Sequence, residues 1–193
     1  VPAATVPKNA IAAGPGYLYE APLLTSLPAN TVAGSVFTDA WPAGWNLLGI
    51  TSDGSEFDYT ITTAEILAAE YFDPLQIVTT ERAASVKFAL MQVHATNMSR
   101  AVNGGTITVT GSGATQLNKL TPPAVGSEVR IMIGWESQDN TERLIMEQCF
   151  QEGSLAIMRQ KGANIATIPV EFHAEIPASG FPFQYFTAGT IRG

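Results

Sequence analysis

Residues 168–176 read Ile168-Pro169-Val170-Glu171-Phe172-His173-Ala174-Glu175-Ile176. Ile168, Val170, Phe172, Ala174 and Ile176 alternate without a break against Pro169, Glu171, His173 and Glu175. A period of two marks a strand with one buried face. Pro169 has no N–H to offer, so this strand should have an open edge at that point.

The same period recurs upstream. Val86, Phe88 and Leu90 face one way, and Ser85, Lys87 and Ala89 the other, in a strand expected over 84–93. In 128–136, Val129, Ile131, Ile133 and Trp135 alternate with Arg130 and Met132, and their shared face reads as core. In 141–151, Leu144, Met146, Gln148 and Phe150 oppose Arg143, Ile145, Glu147 and Cys149. Phe57, Tyr59 and Ile61 oppose Glu56, Asp58 and Thr60. Between the run Trp45–Ile50 and that segment lies Asp53-Gly54, a strong hairpin signal because both residues tolerate positive φ. The stretch Glu65–Tyr71 is read as a further strand, although its Ala/Leu/Glu composition also suits a helix.

One helix is expected over His94–Val102. Ala95, Met98 and Val102 recur at helical spacing, and Asn103-Gly104-Gly105 provides the stop. Thr106–Thr110 and Gln184–Ala188 read as short strands. The fold class is therefore mainly β: two packed antiparallel sheets, a sandwich or partial barrel, with one flanking α-helix.

Composition bounds the function. The chain has 193 residues, and 46% are apolar, enough for one domain with a sizeable core. Only 14% are charged, where about 25% is usual. The net charge of −7 disfavours gripping nucleic acid, which needs cations to neutralise phosphates. A single cysteine excludes a disulfide scaffold. No stretch supplies the apolar residues of a spanning helix or the basic start of a signal peptide, so a soluble protein made in a cytoplasm is expected.

The charge is unevenly spread. Residues 1–52 carry only Lys8, Glu20 and Asp39, together with six of the twelve prolines. Proline breaks helix interiors, while Tyr17, Tyr19, Leu23, Leu24, Phe37, Trp41 and Trp45 favour burial. The reading is an extended low-charge arm over 1–44, packed on its own body or on a neighbour, followed by a single β domain over 45–193.

Catalytic chemistry is sparse. His94, His173 and Cys149 fall short of a structural zinc set. Cys149 reads as a buried inert thiol, because a nucleophile needs a neighbouring base and a positive pocket. No phosphate loop or nucleophile elbow occurs. The pairs Glu56/Asp58 and Glu171/Glu175 could serve a glycosidase in principle, but a solvated strand face accounts for them more simply. No enzyme and no cofactor is expected.

The order of these features resembles a known family. Gly14-Pro15-Gly16-Tyr17-Leu18-Tyr19-Glu20-Ala21-Pro22 precedes Trp45-Asn46-Leu47-Leu48-Gly49-Ile50-Thr51-Ser52-Asp53-Gly54. Phe57, Asp73-Pro74, the strand Ser85–Leu90, a helix holding Asn97-Met98 and Ala101-Val102, and a β-rich second half follow. Over about residues 14–188 this resembles the major tail, or tail tube, proteins of long-tailed bacteriophages, especially those of actinobacterial hosts. The resemblance implies a structural virion protein without an active site. It implies hexameric rings stacked into a tube, with the tape measure protein inside and tail terminator and tip proteins at the ends. Double-stranded DNA would pass through the lumen during genome ejection without sequence-specific binding.

Physical chemistry agrees, because sheet closure between subunits removes exposed edges and an acidic lumen would repel phosphates. Glu56, Asp58, Glu65 and Glu70 are the candidate lumen-facing carboxylates. Glu65 and Glu70 have opposite parity, so one regular strand would not present both on one face. Tyr17, Tyr19, Leu23, Leu24, Phe37 and Trp41 are the candidate inter-subunit contacts. Two alternatives stay open: the hexameric inner tube of a contractile injection or secretion system, and a carbohydrate- or ligand-binding β-sandwich using Trp41, Trp45 or Trp135.

Overall fold

The computed structural model describes residues 15–157, 159 and 165–189. Residues 1–14, including Gly14 of the arm motif, lie outside them. Among the described residues there are twelve strands and one α-helix: β1 Gly16–Pro22, β2 Val32–Ala33, β3 Val36–Phe37, β4 Asn46–Leu47, β5 Thr51–Ile66, β6 Gln76–Leu90, α1 Ala95–Ala101, β7 Thr106–Thr110, β8 Leu117–Thr121, β9 Ile131–Ser137, β10 Glu142–Gln151, β11 Ile168–Ala174 and β12 Phe183–Thr187. The fold is mainly β with one helix, as expected.

Eight strands hydrogen-bond in the order β4-β1-β9-β10-β11-β6-β5, with β12 attached to β10. Every pairing is antiparallel. β10 is the joint. Its first half pairs with β9 and β12, its last three residues pair with β11, and its register against β9 slips between Met146 and Cys149. Beyond that bulge, the sheet half carrying β11, β6 and β5 lies over the half carrying β1 and β9. Leu18 and Ile133 from one layer meet Val86, Phe88, Val170 and Phe172 from the other in one core. The layers pack without closing into a barrel.

A second, smaller core lies on the opposite side of β1, β9 and β10. Ala21, Trp45, Met132 and Ile145 are buried there, with Tyr19, Trp41 and Phe186 against them. β9 is therefore covered on both faces. Val129, expected in the core, precedes β9 and is exposed. The opening strand, β11, behaves as its alternation requires: Ile168, Val170 and Phe172 are buried. Its pairing with β6 spans Ile168–His173, but β10 reaches only Phe172–Ala174, so Pro169 faces an open edge.

α1 starts where His94 turns its imidazole back, with Nδ1 accepting from the Asn97 amide at 3.4 Å. It ends at Asn103 (φ 56°), where Gly104 N–H caps the Ser99 carbonyl at 2.7 Å.

Three local expectations are corrected. Asp53-Gly54 does not reverse the chain. Thr51 and Ser55 both pair with β6, and the register slips between them. The positive φ of Gly54 (84°) serves a bulge inside one long strand. Glu65–Tyr71 is not a strand of its own: Glu65 and Ile66 end β5, and residues 67–75 connect to β6, with Leu75 N–H bonded to the Ile66 carbonyl at 2.8 Å. Of the run Trp45–Ile50, only Asn46–Leu47 is strand, while Trp45 and Leu48 turn into the two cores.

Candidate assembly surface

Two features give this subunit a surface beyond its cores. One is a strap, residues 23–45, laid across β9 and β10. The other is the long hairpin β5–β6.

The strap is fastened by one guanidinium. Arg143, only 1% exposed, sits where strand alternation turns it toward the smaller core with Ile145. A buried arginine must satisfy its donors, and here five contacts do so. Nε donates to Glu136 Oε1 at 2.8 Å. Nη2 lies 2.7 Å from that oxygen and donates to the Asp39 carbonyl at 2.7 Å. Nη1 donates to Asp39 Oδ2 at 3.0 Å and to Asn30 Oδ1 at 3.2 Å. Phe37 and Trp41 lie 4.6 and 5.6 Å from its Cζ, within cation–π range.

The acids are shared outward from this point. Glu136 Oε2 accepts from Trp41 Nε1 at 2.8 Å. Asp39 accepts from the amides of Asn30 and Thr31 at 3.1 and 2.8 Å. Burial on its own would raise the Asp39 carboxyl, but the Arg143 hydrogen bond and charge outweigh it and hold the group below the usual carboxylate range. Trp41 stacks on Tyr19 at 4.4 Å and tilts against Trp45 at 4.7 Å. A Cβ on Gly134 would stand 2.3 Å from Trp41, so the strap can lie this close only over a glycine.

These contacts place the expected interface residues. Phe37 is buried inside its own subunit, and Tyr19 and Trp41 are half-buried. Tyr17, Leu23 and Leu24 are exposed. Trp45 is buried, while Trp135 packs against the main core and also borders a surface cleft with Pro15, Gly16 and residues 51–55.

The hairpin has two unlike faces. Glu56 pairs with Lys87 and Asp58 with Ser85, and those partners continue to Glu171 and His173 on β11. Directly paired residues share a face, so Glu56, Asp58, Lys87, Glu171 and His173 form one polar face. Lys87 Nζ and His173 Nε2 each stand 3.2 Å from Glu171 Oε1. The Glu171 hydrogen bond and charge raise the Lys87 ammonium.

Phe57 and Tyr59 point the other way, 5.2 and 5.1 Å from Phe183 of β12. By alternation Glu65 shares their face, and Glu70 lies in the 67–75 connection. Of the four candidate carboxylates, only Glu56 and Asp58 come together.

Farther out the hairpin leaves the body. The tip exposes Leu67, Tyr71, Phe72, Leu75 and Ile77, all more than half accessible, with Phe72 fully so. The outer edge of β5, sixteen residues long, pairs with no strand among the described residues. Long unpaired edges and contiguous apolar tips are features that stable monomers avoid.

Cys149 is fully buried, and desolvation pushes its thiol far above its ordinary value. No group of His, Cys, Asp and Glu with metal-binding geometry occurs among the described residues. Among them, no helix is long and apolar enough to cross a membrane.

The subunit is thus β-layered, with a strapped-down arm and an overhanging hairpin. The family model described as Phage tail tube protein matches residues 3–176. This chain belongs to that family, and it is a structural component of the phage tail. A search of curated proteins found no match.

Sequence reading did not identify Arg143 as the centre of the strap. The one available signal was an arginine with the same parity as Ile145 and Cys149. The tip residues Phe72 and Leu75 were also missed, because an exposed apolar loop has no periodicity to betray it.

Proposed function

We propose that this protein forms the tail tube as stacked hexameric rings, a conduit through which the phage genome passes into the host. The observation that carries this reading is the β5–β6 hairpin: a sixteen-residue edge paired with no described strand, and an exposed apolar tip. Pairing of the β5 edge with a neighbour would satisfy its backbone groups, and burial of the tip would supply much of the association energy. Heterologous contacts of this kind close into rings or extend into tubes.

In this reading the polar face holding Glu56 and Asp58 lines the lumen, where carboxylates repel DNA phosphates and let the duplex slide. Glu65 and Glu70 lie off that face and serve contacts or the outer wall. Tyr17, Leu23 and Leu24 take part in subunit contacts. The tape measure protein fills the tube before ejection, and terminator and tip proteins close its ends. The subunits are made in the host cytoplasm and end in the virion. The inner tube of a contractile injection or secretion system shares this architecture, and a sheath partner would distinguish it.

The test is assembly of the full chain. Sedimentation and negative-stain imaging over rising concentration should show sixfold rings and hollow tubes. A chain that stays monomeric at every concentration, with no tube in the virion, would end this reading. A density map of the tube with Glu56 and Asp58 on the outer wall would remove the lumen assignment.

A further inference from the structure

Five described non-glycine residues adopt positive φ: Leu24, Asn30, Ser35, Asn103 and Asn140. Asparagine tolerates this region because its short amide bonds locally, and serine is a common turn residue. Leucine has no such compensation. Its φ is 66°, in the turn Pro22-Leu23-Leu24-Thr25, at the position where glycine or asparagine is the ordinary choice. Leu24 is also 92% exposed, so nothing described in its own subunit repays the strain. Backbone strain persists only where the surroundings over-determine it, and it concentrates at functional positions.

The surroundings here are rigid. Thr25 N–H and Oγ1 both bond the Pro22 carbonyl, at 3.3 and 2.7 Å. Trp45 Nε1 holds the Ser26 carbonyl at 2.9 Å. The turn therefore carries a fixed apolar projection, flanked by Leu23 and Leu27, each more than a third exposed.

We propose that Leu24 is an inter-subunit knob, held in a strained turn so that it is pre-organised to enter an apolar pocket on a second copy of this chain. The proposal rests on the tube reading above and names one contact within it. A second copy is favoured because the tube reading makes copies of this chain its immediate neighbours. Rigid presentation lowers the ordering cost of association.

The experiment compares wild type, L24G and L24N as full chains. Both replacements suit positive φ and remove the knob. The expected result is an unassembled subunit whose Tm holds or rises, with the concentration for half-assembly raised about tenfold, the scale of one buried leucine. Unchanged assembly would overturn the proposal. So would a Tm lowered by about 3 °C or more in both variants, which would place Leu24 in its own fold. A wild type that forms no tube removes the tube reading itself, so the two failures are distinguishable.

Discussion

Arg143 and Asp39 stand 104 residues apart in the chain and meet twice, Nη1 on the carboxylate at 3.0 Å and Nη2 on the backbone carbonyl at 2.7 Å. The second contact reads the path of the strap itself, so the arm is bound as a shape and not only as a charge.

Replacing Arg143 with methionine should therefore cost about 3 kcal/mol, because it leaves the buried Glu136 and the half-buried Asp39 without a cation. Lysine should not restore the loss, since one ammonium cannot reproduce the planar fork. Denaturant unfolding would measure the cost, and hydrogen exchange should show amides of residues 30–39 losing protection first. Protection equal to wild type would sink the role assigned to Arg143.

The strap should also loosen in acid. Asp39 has a lowered folded pKa, so it contributes stability at neutral pH that is lost as pH falls below about 4 and through the folded value. Glu175, held down by hydrogen bonds from Arg130 and Gln148, acts with the same sign. D39N should be less stable than wild type at pH 7, and the two should converge as pH falls below the lowered folded value of Asp39. Midpoints in urea across that range check this; a constant offset at every pH would refute the linkage.

Gly134→Ala tests the closeness of the strap. The added methyl would overlap the Trp41 ring, and overpacking of this kind costs about 1–3 kcal/mol. Tryptophan fluorescence and near-UV circular dichroism should report displaced Trp41 and Trp45, with far-UV signal retained.

The hairpin tip should separate folding from assembly. Phe72→Ser and Tyr71→Ser remove exposed apolar surface, so subunit stability should change by less than about 0.5 kcal/mol. Tube yield should fall severalfold by sedimentation. Loss of stability without loss of tubes would show that the tip belongs to the fold.

Cys149 should be silent in the folded subunit. Its thiol is buried and its pKa raised by desolvation, so thiol reagents should label it only at the rate of unfolding. Rapid labelling at neutral pH without denaturant would contradict its place in the core.

Much of this molecule is local. Alternation at Val86–Leu90 and Ile168–Ala174 specified strands and their buried faces, because side chains on a pleated strand must divide between core and solvent. The stop at Asn103-Gly104 ended the helix for an equally local reason. Low charge set residues 1–52 apart in the sequence. Tertiary structure alone decided that Phe37, Trp45 and Leu48 are buried in their own subunit while Leu24, Leu47 and Ile50 stay exposed. Arg143, Glu136 and Asp39 neutralise one another across distant elements, and no local pattern records that pairing. Asp53-Gly54 could make a turn with positive φ at both residues or a bulge with positive φ at Gly54 alone, and pairing with the partner strand chose the bulge. The acidic residues after it were legible as a group, but their division between faces depended on register. Whether a carboxylate lies with Glu56 or with Phe57 is settled by pairing, a property of two strands at once.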